Sequence, residues 1–503
     1  MLVNRLKRLK AEAGFTTVTL MGVLMVGGLL VMAAFTAVDP DIRQSRDDVD
    51  SKQAYAAAES GLQWYMNALG RDNTYYLKCD NPPAPNATEV APVNQQWTTG
   101  AFKWRNVTGE QSKYGIELIP ATGYSSCLTT DQYSMINPEG NLQLRVTGRS
   151  RDETRTILAT LRRQNFLDFI YFTHFETLDP AAYSDPVWAA NNCAKYRNQR
   201  SGSCTEIQFA DNDKVLGPFH TNDNAMICGN TQFGERSSDR IEFNGPTPYV
   251  DAGGCNADPN IVGTQIFPAG ELAMPPSNQE LKNIALPAYR YTGKTKITLN
   301  GTSMTVTNAN LTGGVQTVGL PSNGVIYVDN TSCTAGYDRT PDYTESSGCG
   351  NVYVHGSFGA NLTIGAANDV IVDGNLTRAS EDLLLGLIAN NFVRVYHPCS
   401  NGNNGTGSIS NIEIDAAILA LNHSFIVDNW ACGNSLGNLN VDGAIAQYYR
   451  GPVGTSGGTG YIKNYTYNRR LKYREPPYFL DPQLASWRVS RQTEQVPPRS
   501  ALP

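Results

Sequence analysis

An uncharged segment near the N-terminus constrains the fold of this chain more than any other feature. Residues 15–38 contain no charged side chain. Because a helix rises ~1.5 Å per residue, this segment is long enough to cross a hydrocarbon core of ~30 Å. A basic stretch with Arg5, Lys7, Arg8 and Lys10 precedes it, and an Asp-rich stretch follows it. Since basic residues mark the cytoplasmic side, we expect a single-pass membrane protein with a cytoplasmic N-terminus and the bulk of the chain outside.

The segment does not fit a secretory signal peptide, whose apolar core is short and is followed by a small-residue cleavage site. Here the apolar run is longer, and the small residue Gly14 precedes it. The chain then turns polar and predicts a further amphipathic helix as far as Leu69, which Gly70 is expected to end. A plain membrane anchor is the alternative interpretation of this part of the sequence.

The arrangement of these residues also resembles a known N-terminus. A basic leader ending in Gly14, followed by Phe15 and an apolar helix that continues as an amphipathic one, is similar to type IV prepilins and pseudopilins. The stretch QAYAAAESGL at residues 53–62 resembles PilX-type minor pilins in particular. The resemblance implies that a prepilin peptidase cuts after Gly14, that the new N-terminal Phe15 is methylated, and that the helix packs with other pilins or pseudopilins in a filament.

Position 19 departs from the pattern of the major pilins. Those proteins carry Glu at the fifth mature position, where it docks against the N-terminal amine of a neighbouring subunit, whereas this chain has Thr19. A buried carboxylate needs such a partner, but a threonine hydroxyl can bond back to its own helix. The departure implies a minor or tip subunit rather than a subunit of the filament shaft. The resemblance as a whole implies a location at the cell surface or in a pilus after processing.

The composition excludes some classes of partner and favours a β-rich exported protein. At 503 residues we expect several domains or one long repetitive domain. The net charge of -6, with no basic stripe outside the leader, gives no indication of nucleic-acid binding. Charged residues make up only 17% and there are 46 glycines, which is typical of extended surface proteins with many turns.

All ten cysteines lie beyond the apolar segment, and an even number in an exported chain predicts disulfides. Spacing does not fix their connectivity. There is no CxxC motif, and no histidine stands at zinc spacing from a cysteine pair, so we expect no metal site and no cofactor. The candidate couples of neighbouring cysteines are Cys79 with Cys127, Cys193 with Cys204, Cys228 with Cys255, Cys333 with Cys349, and Cys399 with Cys432.

Strand patterns predict an α+β fold that is mainly β. Alternating apolar residues predict a hairpin in which Leu142, Leu144 and Val146 lie on one strand and Leu158 lies on the other, within a small antiparallel sheet. Further along, short strands separated by Gly and Asn turns recur at loose spacing. This pattern favours a parallel β-helix, with an antiparallel β-sandwich as the alternative. The inward aliphatics expected to form one continuous core are Val352, Val354, Val370, Val372, Ile412 and Ile414.

These patterns divide the chain into six predicted parts. They are a basic leader (1–14), a transmembrane and amphipathic pilin-like helix (15–70), a small α+β head (71–165), an aromatic connector with loops (166–204), a β-solenoid-like domain with a loop-rich insertion near 250–320 (205–450), and an extended Tyr- and Pro-rich C-terminal segment (451–503).

Motifs for catalysis are weak. Residues 454–458 satisfy GxSxG, but no predicted strand precedes them and no helix follows, as a nucleophile elbow requires. Asp211, Asp213 and Asp223 lack EF-hand spacing, so solvated turn residues are the default interpretation rather than a calcium site. The five histidines are spread along the chain. We therefore expect no catalytic residues, and a polysaccharide lyase or hydrolase activity rests on analogy with other β-helices alone.

The sequence thus predicts a non-enzymatic, minor pilin-like surface protein that joins or primes a pilus or secretion filament and displays a β-rich ectodomain for adhesion or assembly. Its expected partners are the prepilin peptidase, other pilins or pseudopilins, the membrane through residues 15–38, and a surface glycan or host ligand. A membrane-anchored polysaccharide enzyme and a static anchored surface protein are the alternatives.

Overall fold

A computed structural model provides the coordinates of the chain. It describes residues 13–72, 74–79, 93–94, 104–131, 134–137, 140–163, 165–245, 247–251, 253, 256–334, 336–338, 341, 343, 348–482 and 487–499. For residues 13–16, 33–43 and 93–94 it describes the backbone alone.

The N-terminal part combines one long helix with a small sheet. Helix α1 (Ala13–Arg71) is 59 residues long. Its second half packs on the sheet through alanines and larger apolar residues such as Leu62 and Tyr65, which are buried against Leu144 and Ile157. The strands that precede the larger part of the chain are β1 (Val93–Asn94), β2 (Arg105–Asn106), β3 (Lys113–Ile119), β4 (Asn141–Ser150) and β5 (Glu153–Arg163).

Strands β3, β4 and β5 pair antiparallel, and β4 and β5 form the hairpin predicted from alternating apolar residues. The turn of this hairpin contains Arg151 in the left-handed region, with φ of 50°. Its inward residues Leu142, Leu144 and Val146 are fully buried, because alternate side chains of a strand face the helix.

The rest of the chain is almost entirely β. Among the described residues it contains two short α-helices, α2 (Pro186–Asn192) and α3 (Gln279–Ile284), and several short 3-10 helices. Its strands are β6 (Tyr171–Leu178), β7 (Gln208–Phe209), β8 (Lys214–Leu216), β9 (Phe219–Thr221), β10 (Ala225–Ile227), β11 (Gln232–Phe233), β12 (Arg240–Phe243), β13 (Tyr249–Asp251), β14 (Asn260–Ile261), β15 (Thr264–Ile266), β16 (Arg290–Thr292), β17 (Thr295–Gly301), β18 (Ser303–Asn308), β19 (Val315–Gly319), β20 (Val325–Asp329), β21 (Val352–Phe358), β22 (Leu362–Ala366), β23 (Val370–Arg378), β24 (Leu385–Ala389), β25 (Val393–Val395), β26 (Cys399–Ser400), β27 (Asn403–Asn404), β28 (Glu413–Ile414), β29 (Ala417–Ala420), β30 (Phe425–Val427), β31 (Ser435–Arg450) and β32 (Gly460–Tyr467).

Within the described part of the chain, 22 of these strands form one large curled sheet. One row of parallel strands runs in the order β15-β12-β9-β6-β31-β29-β24-β22-β20-β16. The chain therefore enters this row in the middle at β6, extends to β15, and continues from the far end at β16 back to β31. At the far end, β17, β18 and β19 pair antiparallel.

This architecture corrects the predicted fold class. The expected combination of a transmembrane helix, one small sheet and a parallel β-helix is wrong. Helix α1 is long but is not apolar over its whole length, and beyond it the chain forms large curled sheets. Strand β6, expected in a connector, is buried along its whole length between β31 and β9. The proposed β-sandwich is not found either, since the large sheet contains both parallel rows and an antiparallel end.

The predicted localisation is corrected as well. Over the described residues, no helix is both long and apolar enough to cross a membrane. Helix α1 has the length, but its second half carries charged residues, among them Arg46, Asp47, Asp48 and Asp50. The expected transmembrane helix over residues 15–38, and with it the single-pass membrane assignment, is not supported.

Buried aliphatic side chains and asparagines hold the large sheet together. Its buried apolar side chains form one cluster, whose members lie between Phe166 and Phe479 in the chain. The cluster includes all six aliphatic residues singled out from the sequence. At its surface, Asn368 donates its side-chain amide to Asn351, and Asn391 donates to Asn368, each at 2.6 Å. Such stacked amides satisfy polar groups that the turns would otherwise leave without partners.

The chain finally returns to the first sheet. Strand β33 (Trp487–Glu494) pairs antiparallel with β5, so a segment more than 300 residues further along the chain completes the N-terminal sheet. Trp487 packs edge-on against Tyr76 at a centroid distance of 5.7 Å. The predicted domain boundaries stay a prediction.

Candidate functional site

The first half of α1 presents a large apolar surface. From Val18 to Met32 its aliphatic and methionine side chains are more than half exposed, with Met25 at 75%. A contiguous exposed apolar surface of this size is rare on a folded protein and marks an interaction site. These exposed residues are Val18, Leu20, Met21, Val23, Leu24, Met25, Val26, Leu29, Leu30, Val31 and Met32.

The second half of the same helix is fixed in place by close contact with β4. At Gly148 an added Cβ would lie 1.9 Å from the carbonyl oxygen of Ala54 and 2.5 Å from the backbone nitrogen of Ala58. At Gly61, on the helix, an added Cβ would lie 2.6 Å from the ring of Tyr114. Glycines on both surfaces therefore allow helix and sheet to approach each other closely.

A polar contact marks where the helix leaves the sheet. The carboxylate of Asp50 is largely buried and accepts hydrogen bonds from Ser150 at 3.4 Å and from Arg151 at 3.2 Å. One residue further along, Ser51 accepts a hydrogen bond from Arg155 at 2.6 Å. The β4–β5 hairpin thus holds the helix at this point, and the exposed apolar half extends beyond it.

The role of Asp50 was not identified from the sequence. The spacing in the sequence does indicate that Asp50 faces the sheet, because it precedes the buried residues Ala54 and Ala57 by four and seven positions. This spacing places all three on one face of a helix. An acidic residue on a face that becomes buried requires a partner, which the hairpin supplies.

The predicted processing residues lie at the start of this helix. Gly14 and Phe15 belong to the first turn of α1, in a region where the structure describes the backbone alone. Thr19, at the predicted filament-docking position, is exposed on the same helix. The cleavage and docking roles of these three residues stay predictions.

The structure brings together most of the cysteines that were coupled from the sequence. Disulfides join Cys79 to Cys127, Cys193 to Cys204, Cys333 to Cys349, and Cys399 to Cys432. Cys228 is also disulfide-bonded. Its expected partner Cys255 lies outside the described residues.

Where the N-terminal sheet meets the chain beyond β32, charged side chains are buried. Arg162 of β5 is fully buried and bonds the carboxylate of Glu475 at 2.5 Å. Nearby, Arg163 pairs with Asp481 at 3.3 Å, and Arg488 pairs with Asp168. Burial raises the pKa of Glu475 to about 8 and outweighs the attraction of Arg162, which acts in the opposite direction.

The other polar residues singled out from the sequence each take part in separate ion pairs or hydrogen bonds. Asp213 pairs with Lys463 at 2.6 Å, Asp223 pairs with Arg200, and Asp211 accepts a backbone hydrogen bond from Asn230. Three histidines each contact a single carboxylate: His220 with Glu242, His355 with Asp373, and His423 with Asp179. In the part of the chain that the structure describes, no group of three or more such ligands could hold a metal.

Comparison with known proteins gives few matches. No protein-family model matches the chain. No curated protein matches it. Among solved structures, the chain is similar to the competence-associated pilin ComZ from Thermus thermophilus, with 12% identity over 89% of this chain and 97% of that chain, and a TM-score of 0.27. At that TM-score the likeness carries no argument about the fold or the function of this chain.

Proposed function

We propose that this protein is a minor pilin-like or pseudopilin-like subunit. The first half of helix α1 packs among the helices of other such subunits, and the protein thereby joins or primes a pilus or secretion filament. Its large β-rich body is displayed outward for adhesion or assembly. The observation that carries the proposal is that one continuous helix is held by the body over its second half and exposes apolar residues over its first half.

The apolar composition of the exposed half of α1 favours several neighbouring helices as its binding partners. Between residues 17 and 32 the only polar side chains are Thr17 and Thr19, and neither carries a charge. A helix that is apolar on all sides is buried on all sides, so a single groove on a partner would cover only part of it. Several neighbouring helices, each packed at roughly 8–10 Å, would cover the whole circumference.

The sequence around Gly14 supplies the second support, because it resembles the cleavage site of prepilins. We expect the protein from its native cells to begin at a methylated Phe15 when the peptidase is present, and at Met1 when it is absent. Substitution of Gly14 by Ala should block cleavage. Mass spectrometry of the N-terminus distinguishes the two forms in all three samples.

A matched variant controls for changes to the helix itself. Gly22→Ala alters a glycine of the same helix that has no atom within 4 Å of an added Cβ, so this variant should be cut normally. Mature protein of normal size from Gly14→Ala would contradict the assigned cleavage site. An intact Met1 in cells with and without the peptidase would contradict the proposed filament role.

Incorporation into filaments tests the apolar surface directly. Leu24→Arg places a charge on the exposed half of α1, where Leu24 is 66% exposed, and it should remove the protein from sheared filament fractions. Val187→Arg is the control, since Val187 is 72% exposed on the body. Equal recovery of both variants with the filaments would show that α1 is not the assembly surface.

A further inference from the structure

A lysine and an aspartate form a largely buried pair beside two neighbouring parallel strands of the large sheet. The Lys463 ammonium of β32 lies 2.6 Å from the Asp213 carboxylate, and the two side chains are 11% and 5% exposed. The pair joins residues 250 positions apart in the chain. Asn464 of β32 is the register partner of Lys214 of β8, so the residues before them, Lys463 and Asp213, also lie side by side. The pairing of the strands therefore holds the two side chains against each other.

Backbone groups orient the Asp213 carboxylate toward the lysine. Its Oδ1 accepts a hydrogen bond from the backbone nitrogen of Lys463 at 3.2 Å, and its Oδ2 accepts one from the backbone nitrogen of Ala210 at 2.9 Å. The turn that ends at Asp213 is closed by a further backbone hydrogen bond to the Ala210 carbonyl at 3.1 Å. The amine and the carboxylate are thus held in contact by the fold, and such positioning greatly raises the rate of a reaction between two groups.

The surroundings of the pair favour a neutral amine. The fully buried ring of Phe209 lies beside it, with its centre 5.9 Å from the Lys463 ammonium. Burial lowers the pKa of Lys463 and outweighs the attraction of Asp213, which acts in the opposite direction. Because only the neutral amine is a nucleophile, a desolvated lysine is more reactive than one in water.

This pair differs from other ion pairs among the described residues. Buried pairs elsewhere use arginine, as in Arg450 with Glu176 at 2.8 Å, and a guanidinium stays protonated and cannot act as a nucleophile. Other paired lysines have side chains that are 34–74% exposed, so their ammonium groups stay hydrated. These more exposed lysines are Lys52, Lys78, Lys282 and Lys296. The combination of a lysine, close contact and burial therefore distinguishes Lys463 with Asp213.

We propose that Lys463 and Asp213 condense to an amide, an intramolecular isopeptide bond that links β32 to the turn before β8. The Lys463 Nζ attacks Cγ of Asp213, the Nζ–Cγ bond forms, and the bond from Cγ to one carboxylate oxygen breaks. Two of the three ammonium protons leave with this oxygen as one water molecule, and the third stays on the amide nitrogen. Ammonium and carboxylate thus become amide and water, so atoms and charge balance without a further reactant. This inference is independent of the filament role of α1.

Mass spectrometry of the full chain, with its disulfides reduced and alkylated, tests the proposal. We expect a mass lower by one water molecule than the mass of the sequence from its measured N-terminus. After digestion with trypsin, peptide 201–214 should be joined to peptide 451–469. The second peptide should remain uncut after Lys463, because trypsin does not cleave at a lysine whose side chain is an amide.

Two matched variants locate the bond. Lys463→Arg keeps the positive charge but cannot form the amide, so it should retain its full mass and give two separate peptides. Lys214→Arg, at the exposed lysine next to Asp213, is the control and should lose one water molecule as the wild type does.

Three results would overturn the proposal. The first is a wild-type chain of full mass, and this measurement decides even if Lys463→Arg fails to fold. The second is loss of water with peptides 201–214 and 451–463 recovered separately, which would indicate a cyclic imide at an aspartate instead. The third is the same loss of water in Lys463→Arg as in the wild type.

Discussion

At the scale of single residues, two buried tyrosines differ in how their hydroxyl groups are satisfied. Tyr65 of α1 is completely buried, and its hydroxyl has no hydrogen-bond partner among the described residues. Tyr171 of β6 is equally enclosed, but its hydroxyl accepts a hydrogen bond from Gln447 at 3.0 Å. Burial raises the pKa of both hydroxyls well above the ordinary value, so both stay neutral.

The two hydroxyls predict opposite effects of the same substitution. Tyr65→Phe should raise the free energy of unfolding by about 1 kcal/mol, because it removes a polar atom buried without a partner. Tyr171→Phe should lower it by about 1–2 kcal/mol, because the amide of Gln447 loses its acceptor. Urea denaturation followed by circular dichroism measures both. A shift in the same direction for both variants would show that hydrogen bonding does not explain the difference.

At the scale of elements, the packing of α1 on β4 depends on glycine. Gly148→Ala should lower the free energy of unfolding by about 2–3 kcal/mol, because the new methyl group would overlap backbone atoms of Ala54 and Ala58, which cannot rotate away. Thermal unfolding of the variant measures the loss.

Gly70→Ala provides the comparison within the same helix. No atom lies within 4 Å of a Cβ added there, so alanine should stabilise the helix by about 0.5–1 kcal/mol through its lower unfolded-state entropy. Equal destabilisation by Gly148→Ala and Gly70→Ala would contradict the close helix–sheet approach as the cause.

At the scale of the whole molecule, the charged cluster around Glu475 makes stability depend on pH. In the unfolded chain this carboxyl ionises near its ordinary pKa of 4.5, whereas burial raises the folded pKa to about 8. Between these values the folded chain retains a proton that the unfolded chain releases. The free energy of unfolding should therefore fall as pH rises from about 5 to 8, by at most about 1.4 kcal/mol per pH unit for one proton.

Glu475→Gln removes this ionisation and should flatten the dependence on pH. Some slope should remain, since burial also raises the pKa of Asp481 and Asp168 in the same cluster. Glu381→Gln, at a side chain 77% exposed, is the control and should leave the profile unchanged. The free energy of unfolding, measured at a series of pH values for each protein, tests this prediction. If it varied as little with pH in the wild type as in Glu475→Gln, the role assigned to Glu475 would be wrong.

The sequence predicted part of the candidate site and missed the rest. Its apolar pattern located the surface from Val18 to Met32, but the interpretation as a membrane span was corrected. The contact of Asp50 with Ser150 was not foreseen, because it joins residues 100 positions apart.

By itself the sequence determined what depends on near neighbours in the chain. Alternation predicted the β4–β5 hairpin, and aliphatic runs identified core residues such as Val352 and Val370. Only the tertiary structure decided the order of the strands. Strand β6 lies beside β31, with Thr173 opposite Gln447, and β33 returns to β5. Such pairings join segments far apart in the chain, and many short strands of similar composition are compatible with several neighbours, so only the combined packing of all of them selects one arrangement.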